Sequence, residues 1–247
     1  MSRLRSVIPS VAVLAALTIG CRAAERKPAA PEYAADSAAH ADSLRRQQAA
    51  DAGKRTVLFV GTSLTAGLGL DPDDAFPALI QAKIDSAGLP FRTVNAGNSG
   101  ETAAGARRRV ESWLIRQPFD VLVLETGSND MLRGQSVDST RAAIQAIVDT
   151  VRAAHPDARI VLAGMYALPN LGAAYGRRFA AMYPELAEKN RLVLIPFLLD
   201  GVGGHPELNQ PDGMHPNETG ERRVAENVWK TLEPVLRERA AAARPTR

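Results

Sequence analysis

The chain has 247 residues, 45% of them hydrophobic and 23% charged, with a formal net charge of +3. That length suits one large α/β domain or two small ones, and the composition is ordinary for a soluble globular protein. No basic stripe interleaved with aromatics is present, so nucleic acid is not expected as a partner, and the single cysteine excludes an intramolecular disulfide.

At the N-terminus, Arg3 and Arg5 precede an apolar run from Val7 to Gly20, interrupted by Pro9, Ser10 and Thr18. The run suits the hydrophobic region of a signal peptide and is short for a membrane span. It ends in Leu17-Thr-Ile-Gly20-Cys21, which resembles a bacterial lipoprotein processing site, with Thr18 where Leu is usual. That resemblance implies cleavage after residue 20, a lipid on Cys21, and an exported protein anchored to a membrane, facing the periplasm or the cell surface. A plain secretory signal with an incidental cysteine is the alternative, giving a soluble exported protein. Residues 21–54 are rich in Ala with mixed charge and almost no large apolar side chains, the composition of a tether. Residues 55–240 are expected to form the folded domain, with 241–247 as a tail.

Within that domain, strands and helices alternate. Apolar, β-branched runs predict strands at Arg55–Val60, Phe91–Asn95, Phe119–Leu124, Ala158–Ala163 and Arg191–Ile195. Helices are predicted at about Asp74–Ala87, Thr102–Gln117, Asp138–Ala154, Tyr175–Lys189 and Asn217–Arg239, with Gly88-Leu-Pro90 and His155-Pro156 as stop signals. Near-continuous apolar strands are covered on both faces, which implies a parallel sheet. Five β–α units then predict a three-layer α/β/α, flavodoxin-like domain around a five-stranded parallel sheet.

Ligands of open parallel sheets bind beyond the carboxyl ends of the strands. Four polar loops are predicted there: Gly61-Thr-Ser63-Leu, Asn95 to Thr102, Glu125 to Asp130, and the Asp212-Gly-Met-His215-Pro segment after the last strand. A hydroxyl nucleophile needs a base, and the base needs an anion to fix its tautomer. Asp212 and His215 supply both from one loop, and Ser63 would meet them from about 150 residues away. Plainer readings accompany each residue. Ser63 could cap the helix after the first strand, Asn129 and Asp130 could be turn residues, and Asp130 reads as a structural partner. Gly61 and Gly67 do not flank Ser63 as a nucleophile elbow requires. Among the histidines, His40 falls in the tether and His155 at a helix C-terminus, while His205, with Asp200 nearby, competes with His215. Arg107 to Arg109 reads as a solvated helix face.

Taken in order, these blocks resemble the SGNH hydrolases, also called GDSL-type esterases and lipases, over about residues 55–239. Tyr175-Gly-Arg-Arg178-Phe and Tyr183-Pro-Glu-Leu resemble the branch with thioesterase I, lysophospholipases and arylesterases. The resemblance implies a serine hydrolase of carboxylic esters or thioesters with Ser63, Asp212 and His215 as catalytic residues. It implies an oxyanion hole from Ser63, Gly100 and Asn129, with no metal or cofactor. Thr62 stands where the family has Asp. The apolar loop after the fourth strand makes Met165, Tyr166 and Leu168 candidates for contact with a small or lipid ester substrate. A carbohydrate O-deacetylase and a non-catalytic binding lipoprotein are the other readings.

Overall fold

The computed structural model describes residues 52–242. The expected signal segment, Cys21, His40, nearly all of the expected tether and residues 243–247 lie outside the described residues. Among the described residues, no helix is long and apolar enough to cross a membrane.

Five strands form one parallel sheet: β1 (Arg55–Gly61), β2 (Phe91–Gly97), β3 (Val121–Glu125), β4 (Arg159–Ala163) and β5 (Val193–Ile195), in the order β2-β1-β3-β4-β5. The register places Gly61 beside Gly97 and Val60 beside Leu124. All five residues of β3 are buried, as are four of the five in β4, which fits strands sandwiched between helical layers. β2 lies at the sheet edge and is only half buried. The Gln81 side chain covers its start, with Oε1 accepting from the Thr93 N–H at 2.6 Å and Nε2 donating to the Phe91 carbonyl at 3.4 Å. That occupies edge groups otherwise open to another strand.

The helices are α1 (Ser63–Ala66), α2 (Phe76–Ser86), α3 (Ala103–Ser112), α4 (Ser128–Leu132), α5 (Val137–Ala154), α6 (Ala173–Asn190) and α7 (Glu218–Ala242). The chain steps one way from β1 to β2 and the other way from β2 onward. Right-handed crossovers therefore put α2 on one face and α3, α5 and α6 on the other. α7 packs against α2 and closes the first face, while α3 packs on α5 and α5 on α6.

Several boundaries differ from the sequence expectation. The first long helix starts at Phe76, because a separate 3-10 turn over Pro72–Asp74 is capped by the Asp71 carboxylate. The next helix ends at Ser112 and is followed by a 3-10 turn over Leu114–Arg116. α6 runs on through Asn190, so Arg191 is no strand residue; it closes the helix in a left-handed conformation, φ 47°. α4 was not expected, and α1 was entertained only as a helix that Ser63 might cap, both being too short to carry a periodic pattern.

Candidate active site

The strand order reverses between β1 and β3, and the residues of interest leave the sheet at that switch point. β1 passes through Thr62 into α1, whose first residue is Ser63. Thr62, not Ser63, occupies the cap position, so the Ser63 hydroxyl is not spent on capping. Its Oγ lies 2.8 Å from His215 Nε2, and His215 Nδ1 lies 2.6 Å from Asp212 Oδ2. An ionised carboxylate only accepts, so Nδ1 carries the proton and Nε2 turns its lone pair toward Ser63.

The loop bearing this pair is built around Asp212 itself. Asp212 Oδ1 accepts from the backbone N–H groups of Met214 at 2.9 Å and His215 at 3.0 Å. Those bonds, with the His215 ring, hold its carboxyl down at about 2, the His215 backbone N–H contributing most. Gln210 then ties the loop to the segment carrying Ser63. Its N–H donates to the His215 carbonyl, and its side-chain amide donates to Leu68 O and Pro216 O at 2.7 and 2.9 Å.

On the neighbouring strand ends sit Gly100 and Asn129. Gly100 has φ +78°, a conformation that favours glycine. Its carbonyl accepts from Arg133 Nη2 at 2.8 Å, and the next carbonyl, of Glu101, accepts from Asn129 Nδ2 at 3.1 Å. Asn129 thereby joins the loop after β2 to that after β3. Gly127, at φ +106°, turns the chain into α4; a Cβ there would lie 2.6 Å from Tyr183 Oη. Asp130 is buried and structural: its carboxylate accepts from the Ala103 N–H at 2.7 Å and from Thr140 Oγ1 at 3.2 Å. Such a set can take a proton from an alcohol.

The family model described as "GDSL-like Lipase/Acylhydrolase family" matches residues 59–223. The chain belongs to this family. It is 37% identical over 193 residues to Esterase TesA of Pseudomonas aeruginosa, an alignment spanning 78% of this chain and 94% of the relative. It is 35% identical to Thioesterase 1/protease 1/lysophospholipase L1 of Escherichia coli, over 73% of this chain and 85% of that one. A crystal structure of TesA superposes with a TM-score of 0.70 at 36% identity, covering 73% of this chain and 99% of that one. The protein is therefore an ester-hydrolysing enzyme of the GDSL/SGNH group.

The other candidate histidines of this GDSL-like hydrolase stand apart from Ser63. His205 Nδ1 pairs with Glu207 Oε1 at 3.2 Å on the surface. His155 Nε2 bonds to the Ile115 carbonyl at 2.7 Å, and its ring packs on Phe119. In the loop after β4, Tyr166 is 55% exposed and stacks on Phe197 with centroids 4.3 Å apart, and Leu168 is exposed as well. Met165 departs from expectation: it is buried in the hydrophobic core and offers almost no surface to a substrate. Exposed Met214 and Leu68 flank the Ser63–His215 contact in sequence instead. A cavity of about 540 Å³ opens beside the Asp212 loop, lined by His205, Asn209, Gln210 and Gly213. A larger one, about 650 Å³, runs along β2 between Arg92 and Trp113 and is lined by neither Ser63 nor His215. Among the described residues, no cluster of His, Cys, Asp and Glu is arranged to hold a metal ion.

Two buried carboxyls had no assigned part in the sequence reading. Glu125, the last residue of β3, accepts from the Thr62 N–H at 2.7 Å and from the hydroxyls of Thr62 and Thr65, each at 2.9 Å to Oε2. Burial raises its pKa while these donors lower it. Glu221, on α7, accepts from the Phe76 N–H at 2.8 Å and is pushed up to about 8, chiefly by burial. In sequence, an acid at a strand end or inside a helix looks like a solvated side chain until the fold covers it.

Proposed function

We propose that this esterase works through an acyl-enzyme on Ser63, with His215 as general base and Asp212 as the group that orients it. The 2.8 Å approach of Ser63 Oγ to His215 Nε2 carries the reading, since a base must lie within hydrogen-bond reach of the proton it takes. Ser63 Oγ attacks the acyl carbon as its proton passes to Nε2. The carbonyl oxygen becomes an oxyanion, which the N–H groups of Ser63 and Gly100 and the Asn129 amide receive. Collapse expels the alcohol or thiol with the proton from Nε2, and water, activated by the same imidazole, releases the carboxylic acid. The substrate class is a carboxylic ester or thioester with an apolar acyl or aryl part. Exposed Met214, next to His215 in sequence, and exposed Tyr166 and Leu168 in the loop after β4 support this, as do the esterase and thioesterase names of the relatives.

The full chain should hydrolyse p-nitrophenyl butyrate, and Ser63→Ala should lower kcat by a factor on the order of 10⁴–10⁶ with an unchanged circular dichroism spectrum. Retained turnover in that variant would assign the nucleophile elsewhere. Comparing aryl esters, acyl-CoA, lysophospholipid and acetylated sugars then ranks the substrate class. The apolar run ending in Gly20-Cys21 supports a lipid anchor on Cys21. Cys21→Ala should move the protein from the membrane to the soluble fraction, and unchanged partitioning would remove the anchor.

A further inference from the structure

We infer that Glu125 is a positioning residue for Ser63, holding the strand-to-helix turn that carries it from both sides. The inference rests on Ser63 being the nucleophile. α1 has only four residues, far too few to be held by its own hydrogen bonds. Its cap residue, Thr62, makes no side-chain bond to the helix; the hydroxyl goes to Glu125 instead. The Thr62 N–H and the Thr65 hydroxyl end on the same carboxyl. All three donors therefore come from the residue before Ser63 and the residue two after it. A single buried group brackets the serine.

The space for this clasp exists because residue 61 has no side chain. A Cβ on Gly61 would lie 1.9 Å from Thr65 Oγ1 and 2.7 Å from Glu125 Oε2. With Glu125 taking the Thr62 N–H, the next amide along, that of Ser63, keeps no acceptor among the described residues. It is the amide placed among the oxyanion donors above. Burying a carboxyl costs stability unless its partners are well made, and here burial raises its pKa. An apolar side chain would fill the place at lower cost, but none could accept three bonds from the turn. At Thr62, where the family has Asp, the hydroxyl donates to Glu125.

The test compares wild type with Glu125→Gln, Glu125→Ala and Thr65→Val in the full chain. Three quantities are read: melting temperature, kcat and KM on p-nitrophenyl butyrate, and the second-order rate of labelling by a fluorophosphonate, which reports how well the serine is aimed. Glu125→Gln can still accept from the Thr62 N–H, and Thr65→Val keeps the shape while removing one donor. Both should melt within a few degrees of wild type and keep KM within about twofold. Their kcat and labelling rate should fall about tenfold, and those of Glu125→Ala about 10²-fold, the scale of a small misplacement of a reacting group. Gln thus rescues part of what Ala loses. Unchanged kcat and labelling in both Glu125→Gln and Thr65→Val would overturn the inference. So would a loss confined to KM, or variants whose only defect is failure to fold. Wild type that is not labelled at Ser63 points instead to a wrong nucleophile, so the two readings fail separately.

Discussion

At the scale of single residues, the Asp212–His215 pair could be read from sequence because both partners lie on one short loop. A spacing of three residues lets one carboxylate accept from the backbone at 214 and 215 and still reach the ring. Glu125 could not be read, since its partners Thr62 and Thr65 come from another strand end 60 or more residues away. The consequence for pH is specific. Asp212 is held at about 2, so its carboxylate persists through the whole working range. Titration of Asp212 should therefore add no step to the acid limb of kcat/KM above about pH 3. A step at the ordinary aspartate value of 3.8 would mean that Asp212 is not held down. Because the lowered group is largely exposed, its loss of stabilisation as pH drops from 3.8 toward 2 should be small.

At the scale of elements, the central strands followed from their apolar runs, while element ends did not. Arg191 shows why. It opens an apolar stretch, Arg191 to Ile195, and no Gly marks the end of the preceding helix. In the fold it is the left-handed residue closing α6, its N–H bonded back to Glu188 and the Leu192 N–H to Ala187. It is the sole non-glycine residue with positive φ among the described residues. A side chain there costs on the order of 1 kcal/mol, which glycine avoids at this helix-closing position. Arg191→Gly should therefore stabilise the protein by about 0.5–1 kcal/mol in urea denaturation at unchanged m-value, and leave kcat untouched. A loss of stability would mean that the arginine side chain contributes more than its backbone conformation costs.

At the scale of the whole molecule, the parallel sheet and the converging polar loops follow from one property of the sequence. Buried apolar strands alternate with helices, and every chemistry-bearing segment follows a strand. The order β2-β1-β3-β4-β5 then brings the ends of β1 and β3 together at the reversal, where Ser63 and Asn129 emerge. What pattern cannot supply is how the last helix closes the first face, and there the fold uses a titratable contact. Glu221 on α7 receives the first N–H of α2, linking the C-terminal helix to the crossover between β1 and β2. Its pKa is raised from 4.5 to about 8, first by burial and with a smaller push from Glu125, so the folded protein prefers it neutral. For a raised group the stabilisation is complete below pH 4.5 and is lost as pH climbs through 8. Glu221→Gln keeps the acceptor for the Phe76 N–H and cannot ionise. Relative to that variant, wild type should lose a few kcal/mol between pH 5 and pH 9, with most of the change below pH 8, followed by thermal unfolding across that range. Every other titrating group remains in both proteins, so the difference reports Glu221 together with its coupling to Glu125. A pH-independent difference in melting temperature would show that water reaches the carboxyl and that the α2–α7 contact carries a charge at neutral pH.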